Sequence, residues 1–162
     1  NIGGLKIRGH GDFDLRQILI VKDDIFIVDF DGDEELPLAE RRRKAPPARD
    51  VAGFIRSIDC SARAALERAL TTASDENGRL STALMAWHDH AVAAFLAGYR
   101  EIKANRRLWP ADPHAVEATL RFFMLEKSVA ELDYDLAHRP DRLRISLSSL
   151  LRVMSLSVSE SS

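Results

Sequence analysis

The apolar residues of this chain change their period near residue 47. Ahead of that point they fall in short extended stretches. Leu5 and Ile7 alternate with Lys6 and Arg8, and Gln17 to Val21 and Ile25 to Phe30 are apolar and rich in β-branched side chains. Lys22-Asp23-Asp24 separates the last two stretches, which predicts a hairpin with a short polar turn. Residues 36–47 hold three prolines and the charge run Glu40 to Lys44, and read as a loop.

Beyond residue 47 the period becomes helical. Asp50 precedes Val51, Phe54, Ile55 and Ile58, a spacing of i, i+3, i+4, i+7 that continues through Ala62, Leu66 and Leu70. Thr71 to Gly78 is a polar break. A second helix is predicted over about residues 80–104, with Leu84, Trp87, Ala91, Phe95 and Tyr99 inward. Asp112 suits an N-cap and Pro113 the first position of a third helix. Val116, Leu120, Phe123, Lys127 and Ala130 share one of its faces. Pro140 marks its end, residues 142–154 add a shorter helix or two, and residues 155–162 read as a flexible polar tail. A small N-terminal β hairpin region followed by a helical bundle predicts an α+β, mainly α fold.

Composition narrows the setting. The 162 residues suffice for one domain with a core, and 46% hydrophobic with 30% charged residues is ordinary for a soluble protein. A net charge of −2 provides no global field for nucleic acid or anionic membrane. Glu40 to Lys44 is one short run without interleaved aromatics, so it reads as a solvated loop or a contact to a neighbouring domain, not a nucleic-acid patch. The single cysteine, Cys60, excludes an internal disulfide and falls on a helical pattern, where it reads as a small buried hydrophobe. No apolar run is long enough to span a bilayer and no secretory signal pattern opens the chain, so the expected location is cytoplasmic. His88, His90, His114 and His138 lack metal-ligand spacing. Trp87 and Trp109 read as packing residues. The chain opens on Asn1-Ile2-Gly3-Gly4, and the expectation is a piece of a longer protein.

One constellation carries chemistry. In His10-Gly11-Asp12-Phe13-Asp14-Leu15-Arg16-Gln17, an aspartate is followed five residues later by an amide. A hairpin's length on, Ile27-Val28-Asp29-Phe30-Asp31-Gly32 puts a second aspartate at the end of an apolar strand. Phosphoryl transfer needs one carboxylate to take the proton of the attacking hydroxyl, and oxygen ligands to hold the magnesium that neutralises the phosphates. Taken singly, Asp12, Asp14, Asp29 and Asp31 read as turn or cap residues. The ordered set around a hairpin favours the catalytic reading, with Asp12 as base and Gln17 and Asp29 as metal ligands.

The His-Gly-Asp-x-x-x-x-Gln and Asp-Phe-Asp-Gly pair resembles the aminoglycoside-phosphotransferase-like kinases. Asp29-Phe30-Asp31-Gly32-Asp33, Pro37-Leu38-Ala39-Glu40-Arg41-Arg42, Arg49-Asp50-Val51-Ala52-Gly53 and the segment from Leu125 to Leu136, closed by Arg139-Pro140-Asp141, are similar to the maltokinase family. The resemblance covers nearly all of the chain. It implies a kinase C-terminal lobe over residues 1–162, ATP with Mg2+, and maltose as acceptor giving maltose 1-phosphate. It also implies a parent often fused to trehalose synthase. On the acceptor side it points to Glu131, Tyr134 and Arg139. Their plainer reading is surface pairing one helical turn apart, for instance Asp135 with Arg139. Asp50 reads as a helix N-cap, and the resemblance adds a brace for the catalytic-loop backbone.

Asp14 stands where the family has His. Either it joins the metal site or it weakens activity by repelling phosphate unless Arg16 compensates. No Gly-rich loop and no strand bearing a phosphate-binding lysine is present, so half of the nucleotide cleft is expected outside these residues. Two other readings stand beside the maltokinase one: a related kinase for an aminoglycoside or choline-like alcohol, and a non-catalytic kinase-derived assembly module.

Overall fold

A computed structural model describes residues 5–72, 74, 78–102 and 108–155. Gly3-Gly4, the end of the expected second helix at residues 103–104 and the tail at 156–162 lie outside them. The architecture is α+β and mainly α. A 3-10 turn, Leu15–Gln17, leads into β1 (Ile18–Val21) and β2 (Asp24–Ile27). Among the described residues five α-helices follow: α1 (Leu38–Arg41), α2 (Ala48–Leu70), α3 (Arg79–Glu101), α4 (Pro113–His138) and α5 (Leu143–Ser155). Two compact units divide the chain, residues 1–56 with 102–124, and residues 57–101 with 125–162.

In the first unit, β1 and β2 pair antiparallel with Ile18 opposite Ile27 and Ile20 opposite Ile25. The turn is tighter than the sequence suggests. Lys22 adopts a left-handed φ of 58°, and Asp24 belongs to β2 rather than to the turn. Leu19, Ile20, Val21, Ile25, Phe26 and Ile27 all stay exposed, Ile20 at 76%. The expected strand at Leu5 to Ile7 reduces to one antiparallel bridge, Ile7 with Ala45, closed by two 2.9 Å hydrogen bonds. The core of this unit is the start of α2. Residues 51–56 are buried without interruption, so the helix is enclosed on every side there. Asp112 begins α4 as the sequence predicts, its carboxylate accepting from the His114 N–H at 3.1 Å.

The second unit is held by polar bonds between helices. Asp135 of α4 accepts from the Ser146 hydroxyl of α5. Arg63 of α2 donates to the Ser148 hydroxyl at 3.1 Å, and Arg152 of α5 donates to Asp89 of α3 at 2.6 Å. Contrary to the helical period, Trp87 is half exposed and its neighbour His88 is buried. The imidazole lies 2.8 Å from Asp89 through Nδ1 and 3.7 Å from Asp59 through Nε2, two carboxylates that an indole with its single N–H could not both meet. The His88 hydrogen bond, with Arg152 beside it, holds the Asp89 carboxyl below the usual carboxylate range. Cys60 is half buried, with its thiol 3.5 Å from the Glu131 carboxylate.

Candidate active site

The loop from Gly9 to Asp14 is fixed from two directions. Its backbone amides at His10 and Gly11 donate to the two carboxylate oxygens of Asp50, at 2.7 and 2.9 Å. Asp50 lies inside the first turn of α2, because the helix begins at Ala48. The N-cap reading is therefore corrected: this carboxylate braces a loop 40 residues upstream. From the other direction, His10 Nε2 donates to the Val28 carbonyl at 2.8 Å. A carbonyl only accepts, so the proton is assigned to Nε2 and Nδ1 is left as a buried atom without a hydrogen bond. The ring packs between Phe30 and Phe13, at 4.8 and 5.4 Å between centroids, and Phe13 stacks on Phe54 at 4.9 Å. These aromatic contacts run from the residue after Asp29 through the loop to the core of α2.

The three candidate phosphoryl-transfer residues belong to this one unit. Asp12 follows the braced amides, with its side chain 31% exposed and 3.9 Å from Arg16. Gln17 closes the 3-10 turn. Its carbonyl accepts from Val28 N–H at 3.0 Å, which places it across the ladder from the residue that precedes Asp29. Asp29 is exposed and holds a left-handed φ of 65°. Aspartate tolerates that region better than most residues, but the conformation is still strained, and such positions cluster at functional sites. An amide oxygen and a carboxylate oxygen are the hard donors that magnesium takes, with water and phosphate oxygens completing its shell.

Asp14 has a defined partner. Its carboxylate caps the 3-10 turn through Arg16 N–H at 2.7 Å, and its Oδ2 receives Arg16 Nε and Nη2 at 2.9 and 2.5 Å. The guanidinium thus offsets the charge of this carboxylate. The sequence named His10 only as a flank of Asp12, and the pairing of its ring with a carbonyl 18 residues away has no local signature. Two glycines are required here. Gly11 has φ +90°, and a Cβ on Gly9 would collide with the Asp50 carboxylate. Gly9→Ala is expected to lower stability by about 1–3 kcal/mol in a urea melt, the usual cost of overpacking a fitted contact. A melt equal to wild type would contradict the close approach.

The acceptor candidates belong to the second unit. Tyr134 stacks on His138 at 4.6 Å, and the Arg139 guanidinium sits 4.7 Å over the Tyr134 ring. Arg139 also pairs with Asp135 at 3.3 Å, the i,i+4 contact of the plainer reading. Glu131 is one turn from Asp135 and takes the Cys60 thiol.

No protein-family profile matches the chain. It is 33% identical over 131 residues to a glucosamine kinase from Streptacidiphilus jiangxiensis, a match covering 81% of this chain and 28% of that protein. Among solved structures, a glucosamine kinase in complex with glucosamine, ADP and inorganic phosphate superposes with a TM-score of 0.75 at 27% identity. That match covers 93% of this chain and 36% of the other. A second glucosamine kinase crystal form gives the same TM-score over 35% of its length. The chain thus spans well under half the length of these relatives. The likeness is to sugar kinases with a kinase-like fold.

Proposed function

We propose that this chain is the C-terminal lobe of an ATP-dependent sugar kinase, working in the cytoplasm where ATP is supplied. The observation that carries the reading is the double brace on the loop before Asp12: Asp50 holds its amides, and His10 ties it to the carbonyl just ahead of Asp29. In this reading the Asp12 carboxylate accepts the proton of a sugar hydroxyl as that oxygen attacks the γ-phosphorus of ATP. The bond from phosphorus to the bridging oxygen breaks, and ADP leaves with that electron pair. Gln17 and Asp29 would hold magnesium, which supplies positive charge to the phosphates. The Gly-rich loop and phosphate-binding lysine that complete the cleft would come from sequence outside these residues.

The acceptor reading we favour is glucosamine, supported by the glucosamine kinases among the relatives. Glu131 would receive its ammonium or a hydroxyl, and the Tyr134 ring with Arg139 would offer a stacking face and donors. Maltose, in a protein fused to trehalose synthase, is the second reading, supported by the segments at residues 29–53 and 125–141. Turnover of the full-length protein with Mg–ATP, followed as ADP release with glucosamine and maltose side by side, tests both. Glucosamine is expected to be phosphorylated with the higher kcat/KM. Glu131→Ala and Arg139→Ala are expected to raise KM for the sugar about tenfold with little change in KM for ATP. ADP release independent of either sugar would sink the sugar-kinase reading. Equal KM values in the variants would remove Glu131 and Arg139 from the acceptor site.

A further inference from the structure

Three arginines line a cavity on the Asp50 side of the braced loop. Arg41 comes from the end of α1, Arg43 from the segment after it and Arg49 from the first turn of α2, and Gly9, Gly11 and Asp50 complete the wall. Three arginines against two aspartates leave the lining with an excess of positive charge, which favours an anion. Asp33 and Asp50 line the same cavity and keep their charge, but among the described residues neither forms an ion pair with these arginines. Both Asp50 oxygens receive loop amides, and Asp33, which also lines the cavity, accepts from the Glu35 N–H at 3.1 Å. Among the described residues, the side chains of Arg43 and Arg49 make no hydrogen bond or ion pair, their backbone N–H groups donating to Glu40 and Pro46. Arg41 donates through Nε to the Leu36 carbonyl at 2.9 Å, which orients its fork and leaves both Nη atoms as donors. Gly9 lies against the Asp50 carboxylate and Gly11 against Gly32, so these two residues add no side chain of their own to the wall.

We infer that this cavity is an oxyanion site for a phosphoryl group, either free phosphate or a phosphate monoester, distinct from the residues that hold ATP. Guanidinium forks match tetrahedral oxyanions in shape and charge, and two or three of them form charge-assisted hydrogen bonds to one phosphate. An occupant would tie the end of α1 and the start of α2 to the wall formed by Gly9 and Gly11. It would therefore stiffen the loop that carries Asp12 without touching that carboxylate.

Calorimetric titration of the full-length protein with inorganic phosphate, and separately with a hexose phosphate, tests this. Arg43→Gln and the double variant Arg43→Gln/Arg49→Gln are the comparisons. Arg43 is exposed, so its single variant keeps the fold, and thermal melts verify this for both. Phosphate affinity is expected to fall about tenfold or more in the double variant. Equal affinity of the two ligands for the wild type would mean that the phosphoryl group alone is read. Tighter hexose phosphate binding, lost in the same variants, would identify an ester as the occupant. Absence of phosphate binding, or binding unchanged in both variants, overturns the site. The titration uses neither sugar nor Mg–ATP, so failure of this site and failure of the kinase reading are told apart.

Discussion

Asp12→Asn in the full-length protein is expected to lower kcat by about 10²–10⁴-fold, the usual contribution of a positioned general base. That corresponds to about 3–5 kcal/mol of lost transition-state stabilisation. Asparagine is nearly isosteric and keeps an oxygen for the acceptor hydroxyl, but it cannot take the proton. KM for sugar and nucleotide should therefore change much less than kcat. Folding stability should change by less than about 1 kcal/mol, because the side chain is partly open to solvent and approaches Arg16 only at 3.9 Å. Steady-state turnover with a parallel urea melt checks both halves. Turnover within a few-fold of wild type would remove Asp12 from the role of base.

Asp50→Ala is expected to affect both stability and rate. It strips the acceptors from two backbone amides, and each bond is part-buried and assisted by a full charge. Hydrogen bonds to charged groups contribute about 1.5–3 kcal/mol each, so a loss of about 3 kcal/mol or more is expected in a urea melt. The Gly9–Asp14 loop then loses its fixed position, and kcat should fall about 10–100-fold, since a small misplacement of a reacting group is enough. Asp50→Asn should retain one acceptor while turning an amide donor toward the second N–H, and should fall between wild type and Asp50→Ala. Amide hydrogen exchange at His10 and Gly11 separates the brace from a general helix effect. If those two amides stay as protected in Asp50→Ala as in wild type, the brace is wrong.

The elements set by local periodicity were legible from the chain itself. The hairpin forms because two short β-branched stretches flank a polar pair. α2 follows its i, i+3, i+4, i+7 stripe, with Val51, Phe54, Ile55, Ile58 and Ala62 all buried. Gln17 and Asp29 come near one another in register for the same reason: only a short hairpin separates them. What failed were rules that look a few residues either way. The N-cap assignment of Asp50 is such a rule, and the real partners of its carboxylate are 39 and 40 residues upstream. Hydrophobicity places Trp87 inward, yet the buried position goes to His88, which meets Asp59 and Arg152 from distant parts of the sequence besides its neighbour Asp89. The acceptor candidates were legible only by resemblance, since one helical turn of charged and aromatic residues is equally a solvated face.

The hairpin has a practical consequence. Two short strands with Leu19, Ile20, Val21, Ile25, Phe26 and Ile27 exposed, and no third strand beside them among the described residues, present open edges and a sticky surface at once. Such ribbons pair with any extended chain they meet, including copies of themselves. Residues 1–162 produced alone are therefore best expressed at low temperature and handled dilute, and charged replacements at Ile20 and Ile25 would improve recovery. These two residues face each other across the ladder, and a lysine–glutamate pair there keeps the register while blunting the surface.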